Sequence, residues 1–354
     1  MSLKLGVLFG GQSGEHDVSI MSAVSVIKNL DKQKYDIVPI GITKKGHWYL
    51  YAGEIDDLKG DWVNDSYKAI LPPDPSYKGL MYFTNGEMKL VHLDVVFPVL
   101  HGPKGEDGTI QGLLELAGIP YVGSGVAASS AGMDKVFTKR LFECAGLPIV
   151  PYVAYTGRKW RARQDDLTQE IEKNIGYPAF IKPANMGSSV GITKAHDKLE
   201  LEEAINLALR YDRKVIVEKA VRCKDVECAV LGNGEPEAST AGEIVPAGEF
   251  YDYNAKYYDD KTRLLIPADI PEDKIEEIKG LAVRAYKAVD CCGLARVDFF
   301  YETDTQKIYV SELNTIPGFT DVSMYPKLWK ASGMSYKELL DELINLSLDI
   351  FQDI

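Results

Sequence analysis

Two short polar segments near the C-terminal end have the residue types of a metal site. Arg296 and Asp298 lie two positions apart, and so do Glu312 and Asn314. Residues two apart on a strand face the same side, so two such strands side by side would bring one cation and three oxygen ligands together. Asp, Glu and Asn oxygens suit Mg²⁺ that bridges substrate phosphates. The segments therefore predict a magnesium site.

The alternative for these segments is a polar strand face that only contacts water. Val297, Phe299 and Leu313 alternate with the polar residues and would bury the opposite face of each strand. The alternation predicts two half-buried strands, and we favour the metal site over the solvated face.

A loop rich in glycine and serine has the features of a phosphate site. It runs from Gly187 to Gly191 as Gly-Ser-Ser-Val-Gly and follows Lys182 by a few residues. Two glycines let the backbone approach a ligand closely, while N–H groups and hydroxyls wrap a phosphate. The Lys182 ammonium would reach the same phosphates as a point charge. A hairpin of this composition without a ligand is the alternative.

Two common nucleotide-binding signatures are absent. No G-x-x-x-x-G-K-[ST] sequence occurs, and residues 10–14 follow the first predicted strand without matching G-x-G-x-x-G. No acidic residue ends a second strand where a ribose contact is expected. A dinucleotide-binding redox or regulatory protein is therefore a less favoured alternative, and it would leave the Asp298, Glu312 and Asn314 cluster unexplained.

The elements that position these residues form an α/β pattern. Apolar runs alternate with helical periodicity, as in Ile20, Val24 and Ile27 on one helix face. Residues 49–90 have weak periodicity and are predicted to form peripheral strands and loops. Predicted strands cover residues 5–9, 35–43, 93–100, 178–182, 215–218, 226–231, 295–300 and 307–312, and predicted helices include 108–117, 134–141, 199–209, 274–289 and 335–346.

Composition fixes the broad class of protein. The 354 residues suggest more than one domain, and we place boundaries near residues 123 and 221. The formal charge of −12 disfavours nucleic acid as a ligand. The absence of any long apolar run and of a signal-peptide layout, together with only five cysteines, predicts a reduced, cytoplasmic protein without a disulfide framework.

Several motifs occur in one order along this chain, and many motifs in one order are far more specific than any single motif. The motifs are residues 9–11, 15–19, 101–102, 105–108, 133–135, 182–183, 187–191, 251–253, 256–257, 296–298 and 312–318. In these motifs and their order, the whole chain resembles the ATP-grasp D-alanine:D-alanine ligases.

The resemblance implies a fold, a reaction and partners. The fold is an α/β ATP-grasp fold with three α/β domains, at 1–123, 124–221 and 222–354, and the nucleotide between the central and C-terminal domains. ATP phosphorylates the carboxylate of one D-alanine, and the amine of a second attacks the acyl phosphate to give D-Ala-D-Ala for peptidoglycan precursors. Two Mg²⁺ ions, with Mn²⁺ able to substitute, and a homodimer are also implied.

The resemblance assigns roles to residues of this chain. Lys135 and Lys182 would hold phosphates, Ser188 and Ser189 would close over the γ-phosphate, and Tyr257 would tie down a lid. The implied catalytic residues are Glu15, Ser188, Tyr257, Arg296 and Gly318; the ATP-binding residues are Lys135, Lys182, Ser188, Ser189, Glu218, Lys219, Asp225 (or Glu227 for the ribose) and Lys256; the substrate-binding residues are Glu15, His101, Ser323 and Met324; the metal ligands are Asp298, Glu312 and Asn314.

The second substrate divides ligases of this type. The Lys256-Tyr257 pair disfavours D-lactate, whose ligases are expected to replace it. D-serine differs from D-alanine by one hydroxyl, which an apolar pocket rejects by only ~10²-fold, so a D-Ala-D-Ser ligase stays an alternative. Another ATP-grasp carboxylate–amine ligase is a further alternative, although it should lack the Glu15 and Tyr257 features.

Overall fold

The computed structural model describes residues 2–246 and 262–352. Within these ranges the chain forms three β-sheets with α-helices packed against them. No helix in the described ranges is both long enough and apolar enough to span a membrane. The α/β class predicted from the sequence is confirmed.

The first sheet brings two loops to one edge. Its strands are β1 (Leu3–Gly10), β2 (Tyr35–Ile42), β3 (Trp48–Tyr51), β4 (Ser66–Ile70), β5 (Gly79–Thr84), β6 (Glu87–His92) and β7 (Val95–Pro98). They lie in the order β6-β5-β4-β3-β2-β1-β7. Strand β1 is parallel to β2 and β7, which explains its apolar sequence, since such strands are buried on both faces. The carboxyl ends of β1 and β7 therefore lead to Glu15 and His101 at the same edge.

Two helices flank the first sheet as predicted. Helix α1 (His16–Asn29) follows β1, and α2 (Thr109–Leu116) lies within the predicted range 108–117. The predicted strand at 93–100 is shorter than expected, covering only Val95–Pro98. Residues 49–90 form short peripheral strands and two 3₁₀ helices, Ile55–Lys59 and Trp62–Asp65.

The second sheet is antiparallel throughout. Its strands are β8 (Tyr152–Thr156), β9 (Ala179–Pro183), β10 (Thr193–Ala195) and β11 (Lys214–Lys219), in the order β10-β9-β11-β8. Lys182 pairs with Ile216, and Glu218 lies two positions further along β11. Lys182 and Glu218 are thus diagonal neighbours on one face of the sheet, within reach of each other.

The predicted helix at 134–141 begins one residue later than expected. Asp134 is an N-cap, since its side chain accepts hydrogen bonds from the N–H groups of Val136 and Phe137. This cap separates two helices, so that Lys135 opens the second one. The helices of this region are α3 (Val126–Met133), α4 (Lys135–Cys144), α5 (Gly157–Ala162), α6 (Gln164–Asn174) and α7 (Lys198–Ala208).

The third sheet carries the predicted metal-binding segments. Its strands are β12 (Cys223–Leu231), β13 (Glu237–Val245), β14 (Arg263–Leu265), β15 (Leu294–Glu302) and β16 (Ile308–Asn314), in the order β14-β13-β12-β15-β16. Strands β15 and β16 are antiparallel, with Asp298 opposite Glu312 and Arg296 opposite Asn314. The sequence-based expectation that these strands are neighbours is confirmed.

The C-terminal helices join the third sheet to the first. They are α8 (Glu272–Ala288), α9 (Met324–Ala331), which the sequence did not predict, and α10 (Tyr336–Gln352). Leu339 and Leu343 on α10 are fully buried in the same apolar cluster as Leu5 of β1. Phe97 and Phe319 make an edge-to-face contact with ring centroids 5.6 Å apart. The boundaries near residues 123 and 221 stay predictions.

Candidate active site

Glu15 lies where the loop after β1 meets the glycine-rich loop. Its side chain is 9% exposed, and the Ser188 hydroxyl donates a hydrogen bond to its Oε1. A Cβ added to Gly102 would lie 2.7 Å from Glu15 Oε2, and one added to Gly187 would lie 3.1 Å away. Among the described residues Glu15 has no cationic partner. Its carboxylate is therefore enclosed on both sides by glycine and available to a cation.

The glycine-rich loop adopts a backbone that side chains rarely permit. Ser188 and Ser189 have φ values of 50° and 58°, and Gly191 follows with a φ of 73°. Residues other than glycine in this region are uncommon and cluster at functional sites. The Val190 N–H donates to the Gly187 carbonyl at 3.2 Å. This tight turn directs the Ser188 hydroxyl to Glu15.

The three predicted metal ligands lie together on β15 and β16. Asn314 Nδ2 donates to Asp298 Oδ2 at 3.0 Å, and Glu312 lies across the ladder from Asp298. In the part of the chain that the structure describes, no group of three or more His, Cys, Asp or Glu residues could hold a metal. The candidate ligands on β15 and β16 are instead two carboxylates and one amide, all of which carry oxygen.

Arg296 holds the neighbouring carboxylates on the same face. Its Nε and Nη2 donate to the two oxygens of Asp298, each at 2.7 Å, and its Nε lies 3.0 Å from Glu227 Oε2. Burial lowers the pKa of the guanidinium, but Asp298 and Glu227 raise it well above its ordinary value. Arg296 thus stays cationic and fixes the orientation of Asp298 by a two-point contact.

Lys135 connects the start of α4 to the third sheet. Its Nζ lies 3.2 Å from Glu312 Oε2 and donates to the Met186 carbonyl at 3.1 Å. The Lys135 ammonium lowers the pKa of the Glu312 carboxyl to about 2, against the opposing effect of burial. Glu312 is therefore ionised at neutral pH, and the Lys135 ammonium at the start of α4 lies beside it.

A buried cluster lies behind the cleft on the second sheet. Glu218 Oε2 is 2.6 Å from Lys182 Nζ, and Glu218 Oε1 is 3.0 Å from Lys139 Nζ. Burial raises the pKa of the Glu218 carboxyl, but Lys139 and Lys182 together lower it to about 2. Sequence analysis missed Lys139; its spacing of four from Lys135 on α4 was the available signal, because residues four apart share a helix face.

The two candidates for the ribose contact differ in their surroundings. Asp225 and Glu227 alternate on β12 and face the same side. Glu227 is paired with Arg296. Burial, followed by the charge of Asp298, raises the pKa of Asp225 to about 6. Asp225 is therefore the one of the two that is not in an ion pair with Arg296.

His101 ties the first sheet to the segment after β16. Its Nδ1 lies 3.2 Å from the Ile316 carbonyl, and its Nε2 lies 3.2 Å from Ser22 Oγ. Ser22 Oγ also accepts from the N–H of Phe319 at 3.5 Å. These contacts position Gly318, the residue between Pro317 and Phe319, next to the loop that carries His101.

Ser323 and Met324 lie at the start of α9. Ser323 Oγ accepts from the Thr320 N–H at 3.0 Å, and a Cβ added to Gly318 would lie 2.7 Å from this oxygen. The Met324 side chain is buried, and its sulfur would lie 2.9 Å from a Cβ added to Gly242. Ser323 thus faces Gly318, whereas Met324 packs into the core.

One cleft collects nine of the eighteen predicted site residues. Lys256 and Tyr257 lie outside the described residues. Lys219 is exposed at the end of β11. The cleft is lined by Glu15, His101, Lys135, Ser188, Ser189, Arg296, Glu312, Asn314 and Gly318, together with Glu106, Met186, Gly187, Ile192 and residues 132–133, 313 and 315–317. The other described residues of the predicted site do not line it: Lys182, Glu218, Lys219, Asp225, Asp298, Ser323 and Met324.

Comparison with known proteins shows the family of this chain. The family model for the D-ala D-ala ligase N-terminus matches residues 4–124, and the one for the C-terminus matches residues 141–345. The chain belongs to the D-Ala-D-Ala ligase family. It therefore has the ATP-grasp fold, as the sequence analysis expected.

Relatives of this family match nearly the whole chain. The D-alanine--D-alanine ligase of Thermoanaerobacter sp. (strain X514) is 56% identical over 98% of this chain and 96% of its own length. That of Clostridium acetobutylicum is 50% identical over 98% of each.

Solved structures of the family superpose closely on this chain. VanG D-Ala:D-Ser ligase from Enterococcus faecalis has a TM-score of 0.89 and 40% identity, covering 98% of this chain and 100% of that one. The D-alanine-D-alanine ligase from Coxiella burnetii has a TM-score of 0.88 and 35% identity, covering 99% and 95%.

Proposed function

We propose that this protein joins two D-alanine molecules into D-Ala-D-Ala at the expense of ATP, for the synthesis of peptidoglycan precursors. A carboxylate oxygen of the first D-alanine attacks the γ-phosphorus, and the bond to the β-phosphate oxygen breaks to release ADP. The amine of the second D-alanine then attacks the acyl carbon. Phosphate leaves with its oxygen, and the amine loses a proton.

The observation that carries this proposal is the enclosed Glu15 carboxylate facing the cleft shared with the β15–β16 cluster. Glu15 has a hydroxyl partner but no described cation, which suits the ammonium of an amino acid. Arg296 and the charged pair of Lys135 and Glu312 line the same cleft, where a phosphorylated carboxylate would lie. An ammonium site and an anion site in one cleft match a phosphorylated amino acid.

The residues that bind ATP come from the second and third sheets and the segments next to them. Lys135 and Lys182 hold phosphate oxygens, and positioning together with charge neutralisation supplies most of the catalysis of phosphoryl transfer. Ser188 and Ser189 close over the γ-phosphate. Glu218 and Lys219 lie at the adenine edge, Asp225 binds the ribose, and Lys256 completes the ATP site.

Asp298, Glu312 and Asn314 fit Mg²⁺. All three present oxygen, Glu312 is ionised at neutral pH, and hard oxygen donors are what Mg²⁺ requires. These residues would hold two Mg²⁺ ions, with Mn²⁺ able to substitute. Bound there, the metal would neutralise the phosphate charge that develops during transfer.

The substrate roles follow from the positions around the cleft. Glu15 and Ser188 hold the ammonium of the first D-alanine, with His101 near its carboxylate and Tyr257 closing a lid. Arg296 and the Gly318 N–H stabilise the oxyanion of the tetrahedral intermediate. Ser323, which faces the cleft-lining Gly318, receives the carboxylate of the second substrate. Met324 packs into the core and does not line the cleft.

Location and assembly are part of the proposal. The reaction draws on cellular ATP, which favours the cytoplasm. The family resemblance implies a homodimer, and analytical ultracentrifugation of the purified chain measures its mass directly: twice 39.2 kDa is expected. A sedimenting mass of one chain at micromolar concentration contradicts the dimer.

The activity is tested by phosphate release from ATP in the presence of D-alanine, with D-serine or D-lactate added in competition and products identified by mass. We expect ADP and D-Ala-D-Ala as the main products, because the 56% identical relative is a D-alanine--D-alanine ligase. An excess of D-Ala-D-Ser would assign the second substrate to D-serine. No D-alanine-dependent turnover with Mg²⁺ would overturn the proposal.

A further inference from the structure

The side chain of Lys139 is only 1% exposed, although lysine is among the residues least often fully buried. It does not line the cleft. Its ammonium lies 3.0 Å from Glu218 Oε1, the only carboxylate in ion-pair contact with it among the described residues. Lys139 therefore cannot touch a ligand in the cleft and acts only through Glu218.

Glu218 has two cationic partners, and Lys182 is the more exposed of the two. Lys182, whose side chain is 12% exposed, lies 2.6 Å from the second oxygen of Glu218. A buried carboxylate that loses its only cationic partner is strongly destabilised. If Lys182 were the sole partner of Glu218, its charge would be committed to the protein and unavailable to another anion.

We propose that Lys139 is a positioning residue that keeps Glu218 neutralised when Lys182 turns to the phosphates of a nucleoside triphosphate. This role rests on the proposed function of Lys182. Lys139 lies on α4, four residues after Lys135, so one helix face supplies both a ligand-facing cation and an inward-facing one. The inward cation frees Lys182 for the nucleotide.

The electrostatics of the cluster agree with this exchange. Burial lowers the pKa of the Lys139 ammonium below its ordinary value; Glu218 opposes this effect, and the neighbouring charge of Lys182 adds to it. Movement of Lys182 away from Glu218 removes that repulsion. Lys139 then holds its proton more firmly at the moment when Glu218 needs a cation.

The test measures binding of a non-hydrolysable ATP analogue (AMP-PNP with Mg²⁺) and of adenosine by calorimetry, in the full-length protein. We expect Lys139→Met to weaken AMP-PNP binding at least about tenfold, because Lys182 stays with Glu218, while adenosine binding changes less than about twofold. Loss of both in parallel would mean a distorted pocket and would overturn the proposal. Unchanged AMP-PNP binding would also overturn it.

A double variant separates charge from packing. In a Glu218→Gln background Lys139 has no carboxylate to neutralise, so adding Lys139→Met should change AMP-PNP affinity by less than about twofold. A tenfold loss in that background contradicts the proposal. This comparison serves even if the single Lys139→Met variant fails to fold, since the double variant leaves no buried carboxylate with one partner.

The control is Lys224→Met, which removes a lysine paired with Glu243 and Asp269 away from the cleft. It should lower stability without changing AMP-PNP affinity. If the wild-type protein itself binds no AMP-PNP, the proposed function of the cleft fails. If the wild type binds it and Lys139→Met binds it equally, only the role of Lys139 fails.

Discussion

The Lys135–Glu312 ion pair at the third sheet borders the cleft, whereas the cluster of Glu218, Lys139 and Lys182 on the second sheet is buried. The Glu312 side chain is 36% exposed beside Lys135, while Glu218 is 3% exposed between Lys139 and Lys182. Both carboxylates have a pKa lowered to about 2. The two carboxylates therefore differ in exposure and not in the direction of their pKa shift.

The largest expected effect on activity comes from a change at Glu312, which pairs with Lys135 at the cleft. Glu312→Gln should lower kcat at least about a hundredfold, because an amide is a poorer Mg²⁺ ligand than a carboxylate and metal neutralisation of phosphate charge is worth several kcal/mol. Phosphate release at saturating ATP and varied Mg²⁺ measures it. Near-normal turnover at ordinary Mg²⁺ would remove Glu312 from the metal site.

The matched control for Glu312→Gln is Glu243→Gln. Glu243 is a buried carboxylate of the same sheet that pairs with Lys224 and accepts from the Asp269 N–H, and it does not line the cleft. This change should reduce stability but leave kcat within about twofold, since no group at the cleft loses a contact.

The buried cluster of Glu218, Lys139 and Lys182 should change how the free energy of unfolding depends on pH. Glu218 has a folded pKa of about 2 against an ordinary 4.5, so its contribution to the free energy of unfolding is complete above pH 4.5 and is lost as pH falls toward 2. The loss is on the order of 3 kcal/mol. Urea unfolding between pH 6 and 3 should show a weaker pH dependence in Glu218→Gln.

An exposed carboxylate provides the reference for that experiment. Glu338 lies on the surface, and a side-chain hydrogen bond from Ser335 lowers its pKa. Glu338→Gln should leave the pH dependence nearly as in the wild type. Equal slopes for Glu218→Gln and Glu338→Gln would contradict the difference between buried and exposed carboxylates.

Glu15 represents a third environment, a nearly buried carboxylate without a described cation. Glu15→Gln should raise KM for D-alanine about thirtyfold, the cost of a charge-assisted hydrogen bond near 2 kcal/mol. Steady-state kinetics with varied D-alanine measures it. The control is Asp17→Asn, an exposed residue paired with Lys44; an equal KM in the two variants would show that Glu15 does not bind the ammonium.

Local sequence patterns predicted many elements and the most important neighbours. The apolar run in β1 identified a buried strand, and the alternation around Asp298 and Glu312 identified two strands whose polar faces meet. These patterns are read from periodicity, which depends on nearby residues only. The sequence analysis did not predict helix α9. Pro326 lies in its first turn, and a proline within a helical pattern usually indicates a break.

Residue types and their spacing determined which groups are available for chemistry: oxygen donors, a loop rich in glycine and serine, and cations. The tertiary structure decided which charges meet. Glu218 lies between Lys139 and Lys182, and Ser188 donates to Glu15 across 173 positions of sequence. Burial and the choice of partner depend on packing between distant elements, and no local sequence pattern encodes the desolvation that leaves Lys182 12% exposed and Lys139 1% exposed.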